Sequence, residues 1–209
     1  MIKENKRKFS VPAHVERRTF IRGAAALLAA AGLAACKTTT TGNVTTITLN
    51  VAEVDTDGTA GLDVLKTVLA FTGVPATVLM VVDTSISGIE TALAAWDKYC
   101  NGSATITYDA SSVPTAATSV ITALQNGASA ISNVVSTESA TLGTSLTSKI
   151  TAVADDVASV GAIISGAVKA LSSVSIGAET AGATPVALRT QRVNAILLRH
   201  GLPAVSIPA

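Results

Sequence analysis

The stretch ATVLMVVDTSISGIETALAAWDKY, residues 76–99, indicates how this protein of 209 residues is built. Its large apolar side chains recur at alternating steps of three and four residues, which is the spacing of a helix face that packs on other helices. Pro75 precedes the stretch and Asn101-Gly102 follows it, so helix-ending residues stand at both boundaries. The sequence therefore predicts a helix with one buried face, formed by Leu79, Val82, Ile86, Ile89, Leu93 and Trp96.

Three further stretches, residues 61–71, 114–135 and 137–174, show the same helical period. For the second we expect Ser111 or Ser112 to be the N-cap. The third is long and contains three glycines at which a bend or break is expected, namely Gly143, Gly161 and Gly166. Residues 45–54 and 104–109 alternate between apolar and polar side chains, and we expect them to pair as a small two-stranded β element.

Composition favours an elongated arrangement of these helices. Hydrophobic residues make up 48% of the chain but aromatic residues only 3%, so most apolar side chains are small. Because a buried Ala contributes much less than a buried Leu or Ile, such helices need long and regular interfaces. The predicted fold class is all-α, an elongated Ala-rich helical bundle or hairpin over residues 47–184, followed by a basic C-terminal helix and tail over residues 185–209.

The charge of the chain excludes some classes of protein. Only 14% of the residues are charged and the formal net charge is +1. High hydrophobicity excludes a disordered chain, and the lack of a basic face and of aromatic stacking platforms excludes a nucleic-acid-binding protein.

The first 35 residues read as an export signal. Residues 1–22 carry seven Lys or Arg against two Glu, and 13 uncharged residues, GAAALLAAAGLAA, follow them. This order of a basic block, a short apolar run and small residues is that of a secretory signal. As a helix the run would span about 20 Å, which is too short for a hydrocarbon core of about 30 Å.

Two short motifs in this leader resemble those of bacterial lipoproteins. Arg17-Arg18-Thr19-Phe20 resembles the twin-arginine export signal, with Arg17, Arg18 and Phe20 as the matching residues, although Glu16 stands where Ser or Thr is usual. Leu33-Ala34-Ala35-Cys36 is similar to a lipobox. The resemblance implies cleavage before Cys36 and attachment of lipid to its sulfur; the alternative is ordinary cleavage nearby, which leaves Cys36 as a thiol.

Lipidation at Cys36 implies how the rest of the chain is placed in the cell. The Thr-rich residues 36–46 are then expected to be a lipid-anchored flexible linker. The protein would be held at the membrane by its lipid, facing the periplasm of the cell envelope. Lys37 follows the cysteine where an acidic residue would indicate retention in the inner membrane, and this slightly favours the outer membrane.

The sequence offers no constellation for catalysis and predicts no enzyme, cofactor or metal site. The only histidine after the leader, His200, is expected near the exposed end of the C-terminal helix. Glu53, Asp55, Asp57 and Asp63 are the densest acidic group. Within it Asp55-Thr56-Asp57-Gly58 faintly resembles a calcium loop but lacks the later Glu, and we expect a solvated loop there. Cys100 is expected to be a buried small hydrophobe; exposed, it would instead cross-link two copies.

These observations favour an exported, lipid-anchored, non-catalytic structural or interaction module of the bacterial cell envelope. Its expected partners are the membrane, through the lipid, and an envelope protein or a second copy of the chain. Two alternatives stay open at this point. One is a membrane-active helical protein of the pore or lysis type. The apolar residues 67–82 and the basic C-terminal helix favour it. The other is a helical bundle that binds a small ligand between its helices.

Overall fold

The computed structural model describes residues 36–41, 44–169 and 185–205, and within them it confirms the predicted all-α architecture with a small β element. Five α-helices and three strands follow one another in these residues. They are β1 (Cys36–Thr41), β2 (Val44–Asn50), α1 (Val51–Lys66), α2 (Ala76–Cys100), β3 (Thr105–Asp109), α3 (Thr115–Thr137), α4 (Ser139–Lys169) and α5 (Pro185–Arg199), with a 3-10 turn, Thr67–Ala70, after α1.

Helices α1 to α4 pack as an antiparallel four-helix bundle. Thr77 at the start of α2 donates a hydrogen bond of 3.1 Å to Glu138 at the end of α3, so these two helices run in opposite directions. Helices α3 and α4 follow each other through Glu138 alone and form the most extensive contact in the molecule. Helix α1 completes the bundle between α2 and α4. At the centre of these contacts lie fully buried side chains such as Trp96, Leu65, Leu124 and Ile164.

Two glycines allow α1 and α4 to approach their neighbours closely. A Cβ atom at Gly61 would lie 2.8 Å from the Leu124 side chain and 3.3 Å from that of Val160. A Cβ atom at Gly161 would lie 3.3 Å from the Cβ of Leu124. Because only a hydrogen fits at these points, the small residues of this sequence permit tight packing between helices.

A three-stranded antiparallel sheet covers one end of the bundle, which we call the sheet end. Strand β2 lies between β1 and β3, with Cys36 opposite Leu49 and Leu49 opposite Ile106. Ile47 and Leu49 are fully buried, and the Tyr108 hydroxyl donates a hydrogen bond to the Val168 carbonyl near the end of α4. The opposite end, formed by residues 67–75 and 137–146, is called the loop end.

The predicted strand pair is confirmed as β2 and β3, but a third strand joins it. Strand β1 lies within residues 36–46, for which a flexible linker was expected. The difference has a physical reason, because the threonines that suggested a spacer are β-branched and also favour extended, paired backbone.

The start of α1 also differs from the sequence-based prediction. The helix begins at Val51, ten residues before the expected start, and the strand before it ends at Asn50. The Asn50 side chain accepts a hydrogen bond of 3.0 Å from the Ala52 backbone N–H and so provides the N-cap. The alternation of apolar residues across Asn50 concealed this boundary.

The other helices follow the prediction closely, with two local corrections. The cap of α3 is Pro114, without a side-chain hydrogen bond, whereas Ser111 donates its backbone N–H and its hydroxyl to Asp109. Of the three glycines expected to interrupt α4, Gly143 does so, with φ +70°. Residues 170–174 of the predicted helix lie outside the described residues, as do residues 1–35.

Candidate functional site

The C-terminal helix α5 packs on α1 and α4 and ends in a well-formed cap. Its buried side chains are Val193, Ile196 and Leu197. The Leu202 N–H donates to the Leu197 carbonyl at 2.9 Å and the Gly201 N–H donates to the Leu198 carbonyl at 3.1 Å, while Gly201 has φ +71°. This is the Schellman arrangement, and it fixes the direction of the two residues before the glycine, Arg199 and His200.

Asp156 of α4 receives both of these side chains. The Asp156 side chain is only 9% exposed. Its carboxylate accepts hydrogen bonds from Arg199 Nη1 at 2.8 and 2.9 Å and contacts His200 Nε2 at 2.9 Å. The His200 side chain is only 10% exposed, so the expectation of an exposed histidine was wrong. His200 is three residues after the buried Leu197, so its ring lies on the same side of the helix end, facing the bundle.

A cleft of about 340 Å³ opens beside this cluster, between the C-terminus of α1, the first half of α4 and the end of α5. Its six lining residues include two cations, a histidine and an aromatic ring, and no carboxylate. They are Thr67, Phe71, Lys149, Ala152, Arg199 and His200. We refer to this space as the α5 cleft.

The lining of the α5 cleft offers a ligand hydrogen-bond donors and apolar surface. A His–Asp pair orients a base in hydrolytic enzymes, where a hydroxyl or thiol must stand within hydrogen-bond reach of the histidine. The only hydroxyl in the lining, that of Thr67, donates instead to the Val64 carbonyl at 2.6 Å. The cleft therefore combines fixed hydrogen-bond donors with an apolar wall.

The dense acidic group of the sequence lies on α1 and not in a solvated loop, which corrects that expectation. Glu53 and Asp57 are 2% and 0% exposed and belong to the packed face of the helix. Burial, and then the negative charge of Asp97, raises the pKa of Asp55. The part of the chain that the structure describes contains no group of three acidic, histidine or cysteine residues arranged to hold a metal ion.

Cys100, at the sheet end, is a free thiol and is buried, with 3% of its surface exposed. Burial is the largest cause that raises its pKa to about 11, followed by the nearby carboxylates Asp97 and Asp55. This environment fits the prediction of a small buried hydrophobe and keeps the thiol protonated at neutral pH.

Arg17, Arg18 and Phe20 lie outside the described residues, and Cys36 is the first residue of β1. The cluster of Asp156, Arg199 and His200 was not predicted, because more than forty residues separate its two parts. The signal that pointed to it was the contrast between the basic C-terminal helix and residues 36–184, which carry five Lys, no Arg and twelve Asp or Glu. Opposite charges favour contact between the two parts.

Two helices, α2 and α4, are long and apolar enough to cross a membrane by length and composition. Both contribute a face to the bundle core, so this is weak evidence for a span. The apolar residues 67–82 are divided by the turn before α2, and Val68, Val78 and Val82 are fully buried, as expected of helix ends in a core.

Comparison of the chain with protein-family models, with curated proteins and with solved structures gives no match.

Proposed function

We propose that this protein is an exported, lipid-anchored, non-catalytic structural or interaction module of the bacterial cell envelope. The observation that carries the proposal is the position of Leu33-Ala34-Ala35-Cys36 directly after a basic block and a short apolar run. Small residues at such a site suit a peptidase that binds extended backbone, and the cysteine sulfur is the atom that accepts lipid.

The energetics of anchoring agree with a domain that is held at the membrane by lipid alone. Each buried CH₂ group contributes about 0.8 kcal/mol, so one acyl chain holds a protein marginally whereas two or three chains hold it stably. Lipid on Cys36 would therefore be sufficient to keep the domain at the membrane surface, facing the periplasm. Lys37 slightly favours the outer membrane.

The pairing of β1 supports a defined orientation of the anchored domain. Strand β1 starts at Cys36 and pairs with β2, which continues directly into α1 at Val51. A lipid on Cys36 would then be attached to the sheet end without a long spacer. The loop end and the α5 cleft would point away from the membrane, toward soluble components of the envelope.

The test of the lipid is metabolic labelling with an alkyne fatty acid in a bacterial host. We expect label on the unmodified protein and on Cys100→Ala, and none on Cys36→Ala, because only the first cysteine stands in the lipobox. Replacement of both Arg17 and Arg18 by Lys should retain the protein inside the cell. Equal labelling of the two cysteine variants, or no label on any of them, would contradict the proposal.

The test of the interaction role is chemical cross-linking in intact cells followed by capture of the lipidated protein. A specific envelope partner, or a second copy of the chain, supports the proposal. A protein that is monomeric and cross-links to nothing in the envelope contradicts it.

A further inference from the structure

We infer that the α5 cleft binds a small organic anion, in which a phosphate or carboxylate is attached to an apolar body. That the cleft binds an anion does not depend on export or on the lipid, whereas the choice of a soluble source below rests on the proposed lipid at Cys36. It starts from the two cations in the lining, Lys149 and Arg199. In the described part of the chain Lys149 makes no ion pair, and Arg199 uses only Nη1 toward Asp156. The Arg199 side chain is 60% exposed, so its remaining N–H groups are available to a ligand.

Asp156 holds the donors in place from behind the cleft. It accepts from Arg199 on one side and contacts His200 on the other, and it is not itself among the lining residues. The guanidinium is thus oriented before a ligand arrives, which reduces the ordering cost of binding. Of the carbonyl groups at the end of α5, those of Leu197 and Leu198 accept the Schellman hydrogen bonds of Leu202 and Gly201.

The rest of the lining determines the class of ligand. Phe71 and Ala152 provide an apolar wall beside the cations, which suits an organic body rather than a bare inorganic ion. The volume of about 340 Å³ lies at the small end of ligand-binding clefts. A phosphate or carboxylate attached to one ring or a short chain matches both the volume and the chemistry.

The same chemistry occurs in soluble esters and in lipid headgroups, and the position of the cleft favours the soluble source. Lys149 and Val168 are separated by roughly 28 Å along α4 at about 1.5 Å per residue. Since Tyr108 of the sheet contacts Val168, the cleft lies far from the strand that begins at Cys36.

The experiment uses calorimetric titration of the full chain in non-ionic detergent with phenyl phosphate. The controls are phenol, which lacks the charge, and inorganic phosphate, which lacks the ring. Lys149→Gln is compared with Lys98→Gln, because Lys98 is an exposed lysine of α2 far from the cleft.

We expect phenyl phosphate to bind Lys98→Gln as tightly as it binds the unmodified protein. It should bind Lys149→Gln about tenfold more weakly, since a hydrogen bond to a charged group is lost. Both substitutions are on exposed side chains, and equal melting temperatures would show that both variants fold.

A second arm identifies the source of the anion by flotation of the same variants with vesicles that contain phosphatidylglycerol. Weaker flotation of Lys149→Gln than of Lys98→Gln assigns a lipid headgroup. A difference confined to phenyl phosphate assigns a soluble ester. If the two variants are alike in both arms, or if the unmodified protein binds neither probe, the cleft is not an anion site and the inference is overturned.

Discussion

The two ends of the bundle differ in how completely they are covered. At the sheet end three strands bring Ile47, Leu49 and Tyr108 onto the helices, and Trp96 and Cys100 near the end of α2 are buried. At the loop end the helices meet through turns, and two clefts remain open, one of about 430 Å³ around Gly143 and the α5 cleft of about 340 Å³. Both clefts share Lys149.

The difference shows what small side chains can and cannot achieve. Along the helices Gly61 and Gly161 permit close approach, whereas Ala92, Ala95 and Ala123 leave a cleft of about 420 Å³ between α2 and α3. Where helices end, small side chains do not reach across the opening, and extra apolar area must come from another element. The sheet supplies it at one end, and at the other the space is left for charged and polar groups.

The largest expected effect is at the covered end, where Trp96 is fully buried. Trp96→Ala should lower the free energy of unfolding by about 3–5 kcal/mol because it leaves a large cavity in a packed core. Denaturant unfolding measures the loss. The control is Met80→Ala near the loop end, where the side chain is 64% exposed and little change is expected. Similar losses for the two variants would show that the ends do not differ in packing.

A second test concerns the backbone of the loop end. Gly143 has φ +70° and ψ 162°, a region that residues with a Cβ rarely adopt, although a Cβ would meet no atom within 4 Å. Gly143→Ala should therefore destabilise the protein by about 1–3 kcal/mol through backbone strain alone. Thermal unfolding checks this, and an unchanged melting temperature would mean that α4 continues through this position without a break.

A third test compares two ion pairs. The carboxylate of Asp156 is nearly buried, whereas Lys66 and Glu90, paired at 3.1 Å, are 43% and 51% exposed. Asp156→Ala should cost about 1–2 kcal/mol because it leaves Arg199 and His200 without their acceptor, and it should increase hydrogen exchange in α5. Glu90→Ala should cost less than about 1 kcal/mol. Equal losses, with α5 protected as before, would contradict the role of Asp156 in docking this helix.

A gain in stability is expected from substitution of Gly88, which lies inside α2 with open space around it. Gly88→Ala should stabilise the protein by about 0.5–1 kcal/mol, since Gly is a poor helix former and no neighbour is displaced. Together with Gly143→Ala, this change separates the strain of one backbone position from the loss of glycine as such. A destabilised Gly88→Ala would indicate that another surface packs on α2 in solution.

The contribution of Cys100 to stability depends on pH. Its pKa in the folded protein, about 11, lies above its ordinary value near 9.0, so burial of the neutral thiol stabilises the fold fully below pH 9.0. That contribution is lost as the pH rises from about 9 toward 11, because the unfolded chain releases the proton first. Alkylation by iodoacetamide at pH 8 should be slow in the native protein and fast in urea. Rapid alkylation of the native protein would contradict burial at the sheet end.

Sequence periodicity was sufficient for the helices that bury one continuous face. Residues 76–99 and 114–135 were predicted within two residues of α2 and α3, because Pro75 and Asn101-Gly102 mark both ends of α2 and Pro114 marks the start of α3. The start of α1 was missed since Asn50 supports both the end of a strand and the cap of a helix. Strand β1 was missed because a run of threonines is equally suited to a spacer and to an edge strand, and only its pairing partner decides between them.

The α5 cleft was beyond prediction for a different reason. In the sequence Asp156 lies off the apolar face of a long helix, and it is a buried acceptor only because α5 packs over it. Contacts between elements distant in sequence depend on tertiary packing, which periodicity does not specify. His200 and the basic composition of the last helix were visible in the sequence, but the carboxylate that both contact was not.

The most direct test of the central claim, that the sheet end is tethered through Cys36, is intact mass spectrometry of the protein from bacterial membranes. The proposal predicts a mature chain whose first residue is Cys36 and whose mass includes a diacylglyceryl group with or without a third acyl chain. A chain that begins elsewhere, retains residues 1–35, or carries no lipid would contradict it.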